Sequence, residues 1–321
     1  MPSTEPPYDP QRTGSWLVCA ACGTQYPTAD RHEVKTCFIC DDPRQFTPPI
    51  GQVFTTLDEL RRSRHKNKWL PFSCDDRFTS IFTEPKVGIG QRAILVRTPR
   101  GNVLWDCVTL LDDETVGKIR DLGGLKAIVI SHPHFYSAHV EWARAFDCPV
   151  YLAAEDRKWT AQSSEHQVFV TETEWDLEID GEASGARVLK LGGHFPGSSV
   201  LLYDGRMLIA DTMVTTPAGL GNWETDAVGG SRDRPRGMNS FAFMWSIPNM
   251  IPLPPVEIDR MWNILKKYEF RSTHGLLVGM DIVKTVPEMR RRVELSMQIH
   301  IYHCQGGDDH ASLEEKTGRE P

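Results

Sequence analysis

Two histidines, His132 and His134 in S-H-P-H, follow directly on the apolar run A-I-V-I. If that run is a buried strand, the chain leaves its end and presents two imidazoles from one tight loop. A third histidine, His194, sits in G-G-H-F-P-G-S-S, an aspartate, Asp211, in L-I-A-D-T, and a further histidine, His274, in S-T-H-G. Each follows a short apolar segment, so each is expected at a strand end. Neutral imidazoles with a carboxylate form a donor set suited to zinc or a similar divalent ion, and imply a metal-dependent enzyme.

A second set of donors lies upstream. Cys19 and Cys22 pair as C-A-A-C-G, and Cys37 and Cys40 as C-F-I-C-D. Each pair can chelate from one turn, and the glycine after Cys22 suits a knuckle whose amides face the sulfurs. Four thiolates close a tetrahedral zinc site with no open position, so its role should be structural. Cys74, Cys107, Cys148 and Cys304 show no pairing pattern and read as core or surface thiols.

The elements that must position these groups can be read from pattern. Residues 1–14 read as a disordered lead, 15–50 as the zinc ribbon, 51–85 as a connector, 86–304 as the main domain and 305–321 as a disordered tail. The stretch L-D-E-L-R-R-S-R-H-K-N-K-W predicts a short helix with a solvated basic face. Q-R-A-I-L-V-R-T and V-L-W-D flank a P-R-G-N turn, a hairpin signal. Helices are expected at T-V-G-K-I-R-D-L, at A-H-V-E-W-A-R-A-F, near Ile258–Tyr268 and near Val286–His300. Strands are expected at A-I-V-I, P-V-Y-L, Q-V-F-V, R-V-L-K-L, S-V-L-L-Y and M-L-I-A. Residues 215–256, rich in Gly, Pro and aromatics, read as a long loop that serves as a lid, a binding wall or an interface.

The chain has 321 residues, 40% of them hydrophobic and 25% charged, an ordinary soluble composition. Lys and Arg number 36 against 43 Asp and Glu, a net charge of −7, which argues against a nucleic-acid partner. The polar, proline-rich M-P-S-T-E-P-P-Y-D-P predicts no secretory signal, and no apolar run is long enough to span a membrane. A cytoplasmic location is therefore expected, where the eight cysteines favour metal over disulfides.

H-x-H, then G-G-H-x-P-G-S, then A-D-T, then a late H-G resembles the metallo-β-lactamase-fold hydrolases, over roughly residues 86–300. The resemblance implies an α/β fold, a four-layer αββα sandwich with the metal site at one edge. It implies that His132, His134 and His194 form a first metal site, and that Asp211 bridges to a second site with His274. The superfamily motif is H-x-H-x-D-H, and here the stretch is H-P-H-F-Y-S. Tyr136 stands in place of the aspartate and Ser137 in place of the next histidine. One firmly held metal, zinc or iron, and a weaker or absent second metal are expected. His139 is a candidate to approach the metal from the following helix. Asp156 is read as a helix N-cap or a replacement carboxylate.

The ribbon together with S-H-P-H-F-Y also resembles a subgroup of this superfamily with members in bacteria, plants and fungi. Its pattern, C-x-x-C-G-T-Q, C-x-I-C-x-D-x-R-Q, T-T-L-x-E-L, is met here by C-G-T-Q, C-F-I-C-D-D-P-R-Q and T-T-L-D-E-L. Some fungal proteins of this fold are associated with opening plant-derived lactams such as benzoxazolinones, which implies xenobiotic degradation as one role.

The expected reaction is hydrolysis of a small ester, lactone, lactam or thioester by water that the metal activates. Asp211 would orient the water and Tyr136 would steady the oxyanion. Trp223, Phe241, Met244, Trp245 and Met250 would wall the pocket. Two alternatives stand beside it: an iron-dependent enzyme that uses oxygen, and a non-catalytic interaction protein with a degenerate site. A small-molecule substrate is expected, and a homodimer is consistent with the fold.

Overall fold

A computed structural model describes residues 5–73, 75–235 and 237–305. The chain forms two compact units, Met1–Val188 and Leu189–Pro321.

The first unit begins earlier than the expected disordered lead allows. Pro10–Thr13 form a helical turn capped by Asp9, and Thr13 is buried. The Glu5 carboxylate accepts from the Ser164 hydroxyl at 2.7 Å and from the Glu165 amide at 2.9 Å, and pairs with Arg144 at 3.0 Å. Residues 5–14 are thus tied to the domain through a partly buried carboxylate rather than free of it. The tail from 306 onward and Cys74 lie outside the described residues.

The four cysteines sit in a small core with Leu17, Tyr26, Val34 and Ile39. The strand Leu17–Cys19 pairs antiparallel with Phe54–Thr56, so the ribbon closes on residues expected in the connector. Thr56 caps the helix Leu57–Arg62 by accepting from the Glu59 amide at 3.1 Å. The rest of the connector belongs to the main sheet. Lys66–Phe72 and Asp75–Glu84 are its first two strands, and the expected basic helix face stops at Arg62.

That sheet has seven strands. Lys66–Phe72, Asp75–Glu84, Ala93–Thr98 and Gly101–Trp105 run as an antiparallel meander. Ala127–Val129, Val150–Ala153 and Gln167–Val170 then add in parallel. The helices Asp113–Asp121 and His139–Phe146 make the first two crossovers that parallel pairing requires. The first ends at Gly123 and Gly124, both at positive φ, as the G-G stop predicts. Ala127–Val129 is buried at every position, which is why it reads as an unbroken apolar run.

In the second unit Ser199–Tyr203 pairs antiparallel with Arg206–Leu208, which runs parallel to Ser272–His274, which pairs antiparallel with Asp281–Val283. Glu174–Ile179 and Glu182–Lys190 are two further strands, ahead of these in the chain. The helices Pro255–Leu265 and Val286–Gln305 contribute Ile258, Met261, Trp262, Met289 and Val293 to one buried cluster. Burying side chains of this size stabilises by roughly 2–3 kcal/mol each.

Residues 215–256 are less irregular than expected. They hold the helix Pro217–Leu220 and two short ladders, Val214–Thr215 with Phe241–Ala242 and Met244–Ser246 with Ile251–Pro252. Phe241 is fully buried in the helix-packed cluster and is a core residue, not a pocket wall. Met250 is 80% exposed at the tip of the second ladder. Trp223 is half-buried and donates its indole N–H to the Ala218 carbonyl at 2.9 Å.

Candidate metal centre

His132 follows the parallel strand Ala127–Val129 and opens a short 3-10 turn, Pro133–Phe135, that carries His134. The two rings lie edge to face with centroids 5.1 Å apart. The turn is anchored from below: the Asp106 carboxylate accepts from the Ser131 amide at 2.7 Å, and the Ser131 hydroxyl meets His132 Nδ1 at 2.9 Å. Sequence reading missed Asp106, which takes a left-handed φ of 60° at the end of Gly101–Trp105.

His194 follows two glycines in left-handed conformations, Gly192 and Gly193. Its Nδ1 lies 3.2 Å from the Met244 carbonyl. A carbonyl only accepts, so Nδ1 carries the proton and the Nε2 lone pair is the one presented to a metal. Nε2 lies 3.6 Å from Asp211 Oδ2. Asp211 leaves the strand Arg206–Leu208.

His132, His134, His194 and Asp211 are all buried, and their ligand atoms lie within 4.8 Å of one another. Four polar donors gathered out of water cost several kcal/mol unless something compensates them. A divalent cation fits this set of imidazoles and one carboxylate by its chemistry.

The remaining predicted residues lie outside that group of four. The His274 ring sits with Nδ1 2.8 Å from Asp281 Oδ1 and Nε2 3.0 Å from Ser272 Oγ. His139 is buried, with Nδ1 donating to the Tyr136 carbonyl at 2.8 Å and Nε2 accepting from the Gln167 amide at 2.8 Å. Burial pushes its imidazole down to about 4, so it stays neutral, with both ring nitrogens hydrogen-bonded. Asp156 is fully buried within the 3-10 segment Ala154–Trp159, whose N-cap is Ala153, so the capping role is corrected. The Tyr136 hydroxyl is buried with no hydrogen-bond partner among the described residues. Burial, and then the charge of Asp156, push that phenol well above its ordinary value and keep it protonated.

The second donor set is equally compact. The Sγ atoms of Cys19 and Cys40, and of Cys22 and Cys37, are 3.6 Å apart, far beyond the ~2.05 Å of a disulfide. All four sulfurs lie within 4.8 Å of one another and are buried. Contact with the Cys19 thiol is the largest influence on both partners, holding Cys37 low and Cys40 high, and four such closely packed thiols are a donor set that a shared cation suits. Cys107 and Cys148 are buried singly and Cys304 is exposed.

A sequence profile described as the Metallo-beta-lactamase superfamily matches residues 88–237. The Bacillus subtilis (strain 168) protein YmaE, described as uncharacterized, is 35% identical over 265 residues, covering 81% of this chain and 88% of that one. The fold is similar to the crystal structure of DIM-1 metallo-beta-lactamase, with a TM-score of 0.48 and 12% identity over 73% of this chain and 98% of that chain. It is also similar to the mono-zinc form of FIM-1 from Pseudomonas aeruginosa, with a TM-score of 0.45 and 11% identity over 74% and 96%. With its ordered H-x-H, G-G-H and A-D-T pieces, this chain belongs to the metallo-β-lactamase superfamily. Among the described residues no helix is long and apolar enough to cross a membrane.

Proposed function

We propose that the chain is a metal-dependent hydrolase that opens a small ester, lactone, lactam or thioester. The observation that carries this reading is the convergence of four buried donors, His132, His134, His194 and Asp211, within 4.8 Å. A divalent ion held there would supply Lewis acidity and a water with its pKa lowered toward about 7.

The chain's own residues have separate tasks. Met244 fixes the His194 imidazole through Nδ1, which leaves its Nε2 lone pair for a metal, and Ser131 holds the His132 ring at Nδ1. Asp211 is the one carboxylate of the group, and so the one base that can orient water and take its proton. Tyr136 stays a neutral phenol, which suits it to donate to a developing oxyanion and not to replace the missing aspartate as an anionic ligand. The motif therefore favours one firmly held metal over two.

Elemental analysis of the purified protein tests this. About two zinc ions per chain, falling to about one in His132→Ala, are expected from one ion at each donor set. Hydrolysis of a panel of lactones, lactams, esters and thioesters should be lost in the same variant. A metal content unmoved by His132→Ala, with no turnover by the wild type, would sink the reading. Iron in place of the second zinc would redirect the search to oxygen-dependent turnover.

A further inference from the structure

The position that carries the last histidine of H-x-H-x-D-H is Ser137 here, and the structure gives it another use. Ser137 is buried with a left-handed φ of 44°. Its carbonyl accepts from the main-chain amide of Gln25 at 3.2 Å. Its hydroxyl accepts from Gln91 Nε2 at 3.0 Å, and that amide also donates to the Cys107 carbonyl at 2.9 Å. Gln25 stands three residues past Cys22 on the cysteine knuckle. Gly23, between them, packs so closely on Thr109 and Ser137 that a Cβ would collide with Thr109 Oγ1.

Gln25 begins a longer chain of hydrogen bonds. Its carbonyl and its side-chain oxygen both accept from Gln162 Nε2, at 3.2 and 3.1 Å. The Gln162 carbonyl accepts from Gln167 Nε2 at 3.1 Å, and the same Gln167 nitrogen donates to His139 Nε2 at 2.8 Å. Gln167 Oε1 accepts from the Ser164 amide at 3.0 Å, which fixes the orientation of its side-chain amide. His139 Nδ1–H closes the chain on the Tyr136 carbonyl at 2.8 Å. The carbonyls of Tyr136 and Ser137, consecutive in the loop that carries His132 and His134, are thus both held by a network rooted in the knuckle.

We propose that the four-cysteine centre positions the histidine loop, with Gln25, Gln162, Gln167 and His139 as positioning residues. Four thiolates around one ion fix the knuckle, and the knuckle fixes Gln25. The network then holds the main chain of Tyr136–Ser137, and with it the turn that aims His132 and His134. Buried side-chain networks of this kind hold one arrangement only while every member is satisfied. Occupancy of the thiolate centre should therefore set metal affinity at the histidines, though the two share no ligand. The functional consequence rests on the hydrolase reading, but the positioning does not.

The test uses the full chain loaded with cobalt(II), whose thiolate charge-transfer bands report the cysteines and whose visible d–d bands report the histidines. Gln162→Ala cuts the network midway and touches no cysteine, histidine or loop residue. Amide hydrogen exchange across residues 131–139 should then speed up by about fivefold or more. Cobalt affinity at the histidines should fall about 10-fold to 100-fold with shifted d–d bands, and the thiolate bands should stay unchanged. Gln167→Leu removes the donors to both His139 and Gln162 and should reproduce the result if Gln162→Ala folds poorly. Cys37→Ser, which empties the thiolate centre, should have the same effect on the loop. Wild-type exchange and affinity in both glutamine variants would overturn the proposal. Exchange is measured without substrate, so a faster loop in a protein that hydrolyses nothing would sink the hydrolase reading and keep the positioning.

Discussion

The main-chain amide of Gln25, in the cysteine knuckle, donates to the carbonyl of Ser137, the residue that replaces a metal-binding histidine of the superfamily motif, at 3.2 Å. This contact changes the meaning of the departure from H-x-H-x-D-H. The loop does not merely lack donors for a second ion. At Ser137 it has a small residue whose carbonyl and hydroxyl both serve as attachment points, and a histidine there would bring its ring against Gly23 and Gln91. Restoring the motif with Ser137→His should therefore not restore a second metal.

Tyr136→Phe separates stability from chemistry. The hydroxyl is buried without a hydrogen-bond partner among the described residues, a condition that costs roughly 1–3 kcal/mol. Removing it should leave the urea midpoint unchanged or raise it. If the phenol donates to an oxyanion, turnover should fall about 10-fold or more with little change in KM. A variant that loses stability and activity together would assign Tyr136 a packing role only.

His139 predicts an acid limb in the stability curve. Its imidazole titrates near 6.5 when unfolded and at about 4 in the folded chain, lowered by burial. Between these values the unfolded state binds more protons, so stability is full above about 6.5 and is lost as pH falls toward about 4. The loss amounts to about 3 kcal/mol at most, and below about 4 it goes no further. Urea denaturation of wild type and His139→Gln across this window should show a shallower slope in the variant. Equal slopes would mean that His139 does not remain neutral in the fold.

His132, His134 and His194 were legible as donors because each directly follows a short apolar run or its glycine turn. Their order along the chain survives folding even though their separation does not. The ribbon was legible for the same reason, since chelation from one turn is a local property of C-x-x-C. The network was not. Gln162 and Gln25 are 137 positions apart, and nothing in a glutamine's neighbours announces which carbonyl it will meet. The strand Lys66–Phe72 was hidden by its charges and by Pro71, both of which suit an edge strand that faces water. The lead before residue 14 read as disordered because its composition is polar. From Glu5 onward it is held instead by partners of that carboxylate that lie far along the chain.

Gly193→Ala tests how far the approach to His194 depends on backbone shape. Gly193 has φ of +83°, and a Cβ there would lie 2.7 Å from Leu253 Cδ1 and 3.0 Å from Thr212 Oγ1. The left-handed conformation alone costs an alanine about 1–2 kcal/mol, and the overlap adds to it. Leu253 lies in the buried cluster with Ile258 and Phe243, so it has little room to yield. The strain falls on the residue before His194, whose Nδ1 must still reach the Met244 carbonyl. The variant should lose at least 1 kcal/mol of stability in urea. It should also bind metal more weakly at the histidines, with no change in the cobalt thiolate bands. A variant that is destabilised yet holds metal at wild-type affinity would show that His194 is aimed by Met244 alone.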